Sequence, residues 1–145
     1  MLKIIRADER HRADINRLIK EAKIGSGLDQ NEPIKNFWVV RKNNRIVACA
    51  GLDSHNNASI LTTLAVEREY RHQGIGASLI GHRLRVARQR GSKIVALITM
   101  YYHFNFYKRR GFKTCPRKNL PESIIDYSQF TSQRYKKCAV MFQTI

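Results

Sequence analysis

A short turn in the middle of the chain has the residue types of an anion-binding site. The turn is RHQGIG, residues 71–76, and it stands between a β-branched run and a segment with apolar residues at helical spacing. Two glycines let the backbone approach a ligand closely, and the first amides of a helix have no intrahelical partners. These amides and the helix dipole favour phosphate. A tight turn that needs glycine only for its φ angle is the alternative interpretation.

A second segment, FYKRRGF at residues 106–112, contains a residue that can move a proton. The phenol of Tyr107 has an ordinary pKa of about 10, so it is protonated at neutral pH and can act as a general acid. Because Phe106 and Phe112 lie on either side of it in the sequence, a core aromatic ring without chemistry is the alternative interpretation.

A strand and a helix must position the turn. Ile60–Val66 alternates along its length and is rich in β-branched residues, which predicts a mostly buried strand. From Ile75 the apolar residues recur at helical spacing as far as Ala87, and Gly91 stands where a helix C-cap belongs. The sequence therefore predicts a strand, a turn and a helix over residues 60–90.

The other segments predict a mixed sheet. Asp8 is the expected N-cap of a helix over Glu9–Lys23, and Asn43-Asn44 predicts a tight hairpin because asparagine tolerates positive φ. A run of antiparallel strands followed by a strand–helix–strand crossover indicates helices on both faces of the sheet. Further strands are predicted at Leu2–Ile5, Phe37–Val40, Ile46–Leu52, Ile94–Ile98, Phe112–Cys115 and Cys138–Phe142, with a short helix in Tyr101–Arg110 and a turn or helix start at residues 121–123 of the basic segment Pro116–Lys137.

Val66, four further residues, R-x-x-G-x-G and an amphipathic helix form a pattern that resembles the coenzyme A signature of the GNAT (Gcn5-related) N-acetyltransferase superfamily. The pattern lacks the Gly-Lys-Ser/Thr ending of a Walker P-loop, and Leu79 replaces the third glycine of the dinucleotide fingerprint. FYKRRGF is similar to the family's F-Y-x-x-x-G-F segment. The resemblance covers essentially the whole chain. It implies a single N-acetyltransferase domain, residues 1–145, of α/β (mixed α+β) class, with a mostly antiparallel central sheet of six to seven strands flanked by about four helices.

The resemblance also implies acetyl-CoA as cosubstrate, no metal, and a set of site residues. In the superfamily the fourth strand splays from the fifth and pairs with the pantetheine arm, loop amides bind the pyrophosphate, and a tyrosine matching Tyr107 protonates the leaving thiolate. Carried over, the cofactor-binding residues are Leu64, Ala65 and Val66 on the strand, Arg71, His72, Gln73, Gly74, Ile75, Gly76 and Ala77 in the loop, and Asn105, a weak substitute for the family's asparagine, whose position is Met100 here.

The acceptor is less defined than the cosubstrate. Ile60 occupies the position of the glutamate base of histone-type members, so no base is assigned, and Asp53, His55 and His103 are candidates by reach only. An α-amine has a pKa of about 7.7–8.0 against about 10.4 for lysine, so a site without a strong base favours an α-amine. Parts of residues 117–141 resemble the tail of small amino-acid N-acetyltransferases. We expect a small-molecule or peptide amine that attacks directly in a ternary complex, with protein N-termini and lysines as alternatives.

The charge is strongly basic and uneven. The chain carries 27 Lys+Arg and 11 Asp+Glu, a net charge of +16. Residues 1–69 carry a net +3 and residues 70–145 a net +13. A cofactor accounts for only part of this field, and an anionic acceptor, weak nucleic-acid binding or solubility could account for the rest. Two other functions stay open: a nucleic-acid or ribosome-associated protein on this scaffold, and a coenzyme A sensor without catalysis.

Three cysteines, Cys49, Cys115 and Cys138, cannot all pair. Cys49 and Cys138 lie in apolar runs, which predicts buried free thiols in a reducing compartment, and nothing near them in the sequence indicates an activating base. No segment has the pattern of a signal peptide or the length of a transmembrane helix. The sequence therefore predicts a cytoplasmic protein that is not attached to a membrane, as a monomer or homodimer.

Overall fold

Seven strands and five α-helices account for most of the described chain. The computed structural model describes residues 2–25, 27–131 and 138–145. The strands are β1 Lys3–Arg6, β2 Phe37–Lys42, β3 Arg45–His55, β4 Ala58–Val66, β5 Ile94–Thr99, β6 Lys113–Cys115 and β7 Ala139–Thr144. The helices are α1 Arg12–Glu21, α2 Ile75–Gln89, α3 Phe104–Lys108, α4 Glu122–Ile125 and α5 Ser128–Thr131.

The strands form one sheet in the order β1-β2-β3-β4-β5-β7-β6. β4 and β5 are parallel, with Ala58–Ile60 paired to Ile94–Ala96. The β1–β2, β2–β3, β5–β7 and β6–β7 pairs are antiparallel. This confirms the predicted mixed, mostly antiparallel sheet. The sequence did not indicate that β7 lies between β5 and β6, where it pairs with β5 from Ile94 to Thr99.

The chain divides into two compact units. The first consists of Met1–Leu52 and Thr63–His82, and the second of Asp53–Thr62 and Arg83–Ile145. The turn at residues 71–76 belongs to the first unit, and Tyr107 belongs to the second. A core in the second unit contains Ala58, Ile60, Ala96, Leu120, Ile124, Phe130 and Val140. That residues 1–145 form a single domain stays a prediction.

Helices cover both faces of the sheet in the first unit. Phe37 and Val39 of β2 join the buried cluster that contains the apolar face of α1. Trp38, which points to the opposite face, places its ring 5.6 Å from that of His82 on α2, in an edge-on contact. Alternate residues of β2 therefore contact α1 on one face of the sheet and α2 on the other face, as predicted.

Asparagine and glycine occupy turn positions with positive φ. Asn43 and Asn44, with φ of 52° and 61°, connect β2 to β3, and Asn56, with φ of 55°, connects β3 to β4. Gly91 has φ of 87° just after α2. Asparagine tolerates this region and glycine has no steric cost there, so the predicted hairpin at Asn43-Asn44 and the predicted C-cap at Gly91 are confirmed.

The first helix is shorter than predicted. Asp8 caps its start, since its carboxylate accepts a hydrogen bond from the Arg10 amide at 2.9 Å. The first turn, Glu9–His11, is a 3-10 helix that leads into α1. The helix ends at Glu21, and not at Lys23, because Lys23 adopts φ of 59°, outside the helical region.

The C-terminal segments agree with the predictions except at one cysteine. α4 begins directly after Pro121, as the turn or helix start there predicted, whereas residues 132–137 of the basic segment lie outside the described residues. None of the three cysteines, all of which the structure describes, forms a disulfide bond, and Cys49 is buried. The prediction that Cys138 is buried was wrong: β7 begins one residue later, and Cys138 is half-exposed.

Gly111, in the predicted Gly-Phe pair, should not tolerate a side chain. It has φ of 92°, and a Cβ there would lie 2.5 Å from Nε2 of Gln143, whose amide donates to the Arg110 carbonyl at 2.6 Å. Gly111→Ala should therefore lower the free energy of unfolding by about 2–4 kcal/mol, through backbone strain and overpacking together. Denaturant unfolding measures this.

Gly91→Ala is the matched control for Gly111→Ala. Its φ of 87° is similar, but nothing lies within 4 Å of a Cβ there, so only the backbone cost of about 1–2 kcal/mol should appear. Equal losses in the two variants would show that the contact with Gln143 does not constrain Gly111.

Candidate functional site

The turn between β4 and α2 exposes backbone at the start of a long helix. A 3-10 turn, Arg68–Tyr70, follows β4, and the chain then adopts φ of 64° at His72 and 81° at Gly74. The Ser78 amide donates to the Gly74 carbonyl at 3.0 Å, so the amides of residues 75–77 precede this first helical hydrogen bond. A Cβ at Gly74 would meet nothing within 4 Å, so the backbone there is open to a ligand.

Side chains fix the shape of this loop within the first unit. Arg71 Nε donates to the Val66 carbonyl at 2.9 Å, which folds the loop back on the end of β4. Lys42 Nζ donates to Gln73 Oε1 at 2.9 Å and lies 5.5 Å from the centroid of the Tyr70 ring. Lys42 therefore brings a positive charge next to the loop, and sequence analysis missed it because the contact joins residues 31 positions apart.

The structure brings the predicted loop residues together and shows how exposed each one is. Their exposure fits a backbone site, since the side chains before the helix point to solvent. Arg71, His72, Gln73 and Gly74 are exposed, Ile75 is buried, Gly76 and Ala77 are half-buried, and on β4 Ala65 is buried while Leu64 and Val66 are half-buried.

Glu67, the residue after β4, anchors this end of the strand. Its carboxylate is only 8% exposed and accepts hydrogen bonds from Arg17 of α1, at 3.0 Å, and from the guanidinium of Arg45 on β3. Its amide donates to the Val47 carbonyl at 2.8 Å. The Arg45 hydrogen bonds are the main cause that lowers the pKa of Glu67. Three elements are thereby joined immediately before the loop.

Glu67→Gln should lower stability at neutral pH by about 2 kcal/mol, because the neutral amide cannot replace charge-assisted hydrogen bonds to two arginines. A lowered pKa in the folded state means that this contribution is present above the unfolded pKa of about 4.3 and is lost as pH falls. The gap between wild type and variant should therefore shrink below about pH 4. Urea unfolding at several pH values measures it.

Glu69→Gln provides the control for Glu67→Gln. Glu69 is exposed, two residues further on, and forms no ion pair among the described residues. Its stability change should stay within about 0.5 kcal/mol at every pH. A Glu67→Gln variant as stable as Glu69→Gln would remove the anchoring role.

A cleft of about 310 Å³ lies beside the loop in the first unit. It is lined by Leu18, Glu21, Ala22, Lys23, Val66, Glu67, Arg68 and Arg71. Three of these residues are apolar and five are charged, and a volume of this order suits part of a small polar or charged ligand. A larger cleft, about 500 Å³, is lined by residues of α1 and the β2–β3 hairpin and shares no residue with the loop. Of these two clefts, the smaller one is lined by the loop residue Arg71 and by Val66 of β4, and it is therefore the candidate ligand cleft.

Tyr107 lies on α3 in the second unit, between two phenylalanine rings. Its ring centroid is 5.1 Å from that of Phe106 and 5.9 Å from that of Phe112, both edge-on. Burial raises the pKa of Tyr107, against the opposing charges of Arg83 and Arg110. The phenol is therefore protonated at neutral pH and can donate a proton, as general acid catalysis requires.

Arg83 was missed by the sequence analysis, although the sequence contains a signal for it. It is 1% exposed, and its charge acts on Tyr107. Arg83 is four residues after Leu79 and four before Ala87, so it occupies the apolar stripe of α2. An arginine in a buried apolar stripe is uncommon unless it is paired, so this position marks Arg83 as a candidate functional residue.

The candidate bases each have another contact. The Tyr127 hydroxyl donates to the Asp53 carboxylate, and the His55 ring lies 5.7 Å from the Tyr127 ring, edge-on. The His103 ring lies 4.5 Å from that of Tyr102 in a tilted contact, and partial burial lowers the pKa of His103. These positions leave the base unassigned.

The structure also shows the surroundings of the residues that depart from the family pattern. Ile60 is fully buried and apolar, so it provides no base. Met100 is 37% exposed, and its sulfur accepts a hydrogen bond from the Cys138 thiol at 3.2 Å. Asn105 is exposed on α3, which leaves its side chain accessible for the role predicted for it.

Comparison with known families decides the affiliation. A model described as the acetyltransferase (GNAT) domain matches residues 33–114, more than half of the chain. The chain belongs to the GNAT acetyltransferase family. The matched region contains the R-x-x-G-x-G turn, α2 and Tyr107, so the resemblance stated from the motifs is confirmed.

Individual relatives include amino-acid acetyltransferases. "Probable N-acetyltransferase camello" of Xenopus tropicalis is 32% identical over 106 residues, covering 69% of this chain and 48% of that protein. An "Amino-acid acetyltransferase" of Pseudomonas putida is 37% identical over 91 residues, covering 61% of this chain and 21% of that protein. The chain thus spans about half the length of the first relative and about a fifth of the length of the second.

A solved structure shares the fold. N-acetylglutamate synthase of Neisseria gonorrhoeae, crystallised with coenzyme A and N-acetyl-glutamate, superposes with a TM-score of 0.80 at 20% identity, covering 99% of this chain and 35% of that one. The described residues contain no cluster of histidine, cysteine or acidic side chains that could bind a metal. Within the same residues, no helix is long and apolar enough to cross a membrane.

Proposed function

We propose that the protein is an acetyl-CoA-dependent N-acetyltransferase that acetylates a primary amine of a small molecule. The carrying observation is the loop before α2, where open backbone at Gly74, two positive φ angles and the first amides of a fifteen-residue helix coincide. This arrangement fits a pyrophosphate, because helix N-terminal amides and the helix dipole favour anions. Membership of the GNAT acetyltransferase family supports coenzyme A as its carrier.

Different residues of this chain bind the cosubstrate and donate the proton. Acetyl-CoA supplies a thioester that a neutral amine can attack. The amides of residues 71–77 bind the pyrophosphate, with Arg71, His72 and Lys42 as nearby positive or donor groups. The backbone of Leu64, Ala65 and Val66 pairs with the pantetheine arm. Tyr107 holds a proton on its hydroxyl and donates it to the departing sulfur.

An amino acid is the acceptor class that we favour. Relatives named amino-acid acetyltransferase and a fold neighbour crystallised with N-acetyl-glutamate support it. With Ile60 in place of a glutamate, the site lacks a strong base at that position, and α-amines are neutral more often than lysine side chains at pH 7. Protein N-termini or lysines are the alternative acceptors.

A screen of thiol release tests this proposal. The protein is mixed with acetyl-CoA and, in turn, each amino acid, polyamines, and peptides with free or blocked N-termini, and hydrolysis without acceptor is subtracted. We expect release with a subset of amino acids. Thiol release only with peptides would instead indicate that protein N-termini or lysines are the acceptors. Tight acetyl-CoA binding without any release would favour the sensor interpretation.

The cellular setting is part of the same proposal. In the structure as described, Cys49, Cys115 and Cys138 form no disulfide bond, which supports the reducing cytoplasm. We propose a cytoplasmic protein that acts as a monomer or homodimer. Size-exclusion chromatography with light scattering measures the oligomeric state.

A further inference from the structure

An exposed aromatic cluster follows β5 in the second unit. Tyr101 is 74% exposed and Tyr102 is 64% exposed, on the 3-10 helix Tyr101–His103. The two tyrosine rings lie 5.6 Å apart, edge-on, and the Tyr102 ring is 4.5 Å from that of His103. Large aromatic side chains usually bury most of their surface, so three neighbouring exposed rings mark a surface that binds something.

Basic side chains continue this surface along α3. Lys108 and Arg109 are exposed, and neither forms an ion pair with a carboxylate among the described residues. Residues 101–120 contain six Lys and Arg and no Asp or Glu. Within the part of the chain that the structure describes, no ion pair neutralises the charges of Lys108 and Arg109.

Exposed rings and exposed cations lie within nine residues of one another in the chain. Tyr101, Tyr102 and His103, then Lys108 and Arg109, are exposed; between them Asn105 is also exposed, and Phe104, Phe106 and Tyr107 are half-buried. At the rises of 3-10 and α-helices, the stripe is about 13 Å long from Tyr101 to Arg109. We call these five exposed residues the aromatic-basic stripe. Its rings lie at the N-terminal end and its cations at the C-terminal end.

We propose that the aromatic-basic stripe binds single-stranded RNA. Unpaired bases stack on exposed aromatic rings, and the cations at the C-terminal end bind the phosphates of the adjoining nucleotides. Duplexes keep their bases paired and are a poor match for stacking rings. The tyrosine hydroxyls and the imidazole provide polar atoms that can reach a 2′-hydroxyl, which favours RNA over DNA. The proposal does not depend on acetyl transfer, because the stripe contains neither the loop nor Tyr107 and the variants that test it leave His103, a candidate base, unchanged.

Fluorescence anisotropy with a labelled oligouridine of about 12 nucleotides tests the stacking. The double variant Tyr101→Ala/Tyr102→Ala should weaken binding by at least about 10-fold, because it removes two stacking rings. The matched variant Tyr101→Phe/Tyr102→Phe keeps both rings and should stay within about 3-fold of the wild type. Circular dichroism and acetyl-CoA affinity confirm that each variant is folded.

The salt dependence of the same binding tests the charges. For a single strand, each phosphate that a cation neutralises contributes about 0.7 to the steepness of log affinity against log salt. Lys108→Gln/Arg109→Gln removes two such cations and should therefore make the slope shallower by about 1.4. The control Lys3→Gln/Lys20→Gln removes two exposed lysines of the first unit and should leave the slope within about 0.3 of the wild-type value.

Three results would overturn the proposal. The first is alanine variants that bind oligouridine as well as the wild type. The second is equal losses from the Lys108/Arg109 and Lys3/Lys20 pairs, which would indicate nonspecific attraction to the net charge. The third is binding of oligothymidine or of anionic lipid vesicles that is as tight and as sensitive to the alanine variants, which would assign the stripe to another anionic partner.

Discussion

Gly74→Asp will lose acetyl-CoA binding that Gly74→Asn retains. Both side chains tolerate positive φ better than other non-glycine residues and have the same size, so the pair differs in charge alone at a position with φ of 81°. A carboxylate there faces the proposed pyrophosphate, and like charges in a binding site cost several kcal/mol. We expect affinity to fall by about 100-fold or more in Gly74→Asp.

Calorimetry with acetyl-CoA measures both variants, and thermal melts verify that they are folded. Gly74→Asn should lose no more than about 10-fold, since a Cβ at this position meets no atom within 4 Å. Gly76→Glu, in the first turn of α2, should act in the same direction as Gly74→Asp. If the folded Gly74→Asp protein bound acetyl-CoA as tightly as Gly74→Asn, the loop would not be the pyrophosphate site.

Tyr107→Phe will lower kcat by about 10-fold or more while acetyl-CoA affinity stays nearly unchanged. The ring remains, so the edge-on contacts with Phe106 and Phe112 persist and only the proton donor is removed. The loss should lie at the lower end of general-acid effects, because a thiol pKa of about 8.5 makes the thiolate a tolerable leaving group even without protonation.

The pH profile and a stability control separate the two roles of Tyr107. Because burial raises its pKa, its contribution to kcat should persist to at least about pH 10. Tyr127→Phe is the reference for stability, since it also removes a hydroxyl that donates a hydrogen bond, here to Asp53, and its thermal melt shows what such a loss costs. Wild-type kcat in Tyr107→Phe would remove Tyr107 from the site and point to a proton path through water.

The parts of the fold that sequence predicted are set by local chemistry. The hairpin at Asn43-Asn44, the C-cap at Gly91 and the cap at Asp8 each depend on φ preferences or hydrogen bonds within a few residues. The loop at residues 71–76 was predicted for the same reason, since its glycines and the helix after it are adjacent in the chain.

What the sequence did not predict depends on interactions between distant segments. Glu67 is anchored by Arg17 and Arg45, which lie 50 and 22 residues away, and Lys42 reaches Gln73 across 31 residues. Pattern and propensity report the local backbone, not which distant side chains meet. The insertion of β7 between β5 and β6 is unpredicted for the same reason.

Mass spectrometry of the product formed with isotope-labelled acetyl-CoA tests the central claim most directly. The wild-type protein is incubated with labelled acetyl-CoA and the amino acids that release thiol in the screen, with Gly74→Asp as the inactive control. We predict one labelled acetyl group on the amine of the acceptor, in an amount equal to the thiol released, and none with Gly74→Asp. Thiol release that yields only free labelled acetate, or no product with any amine, would contradict the account.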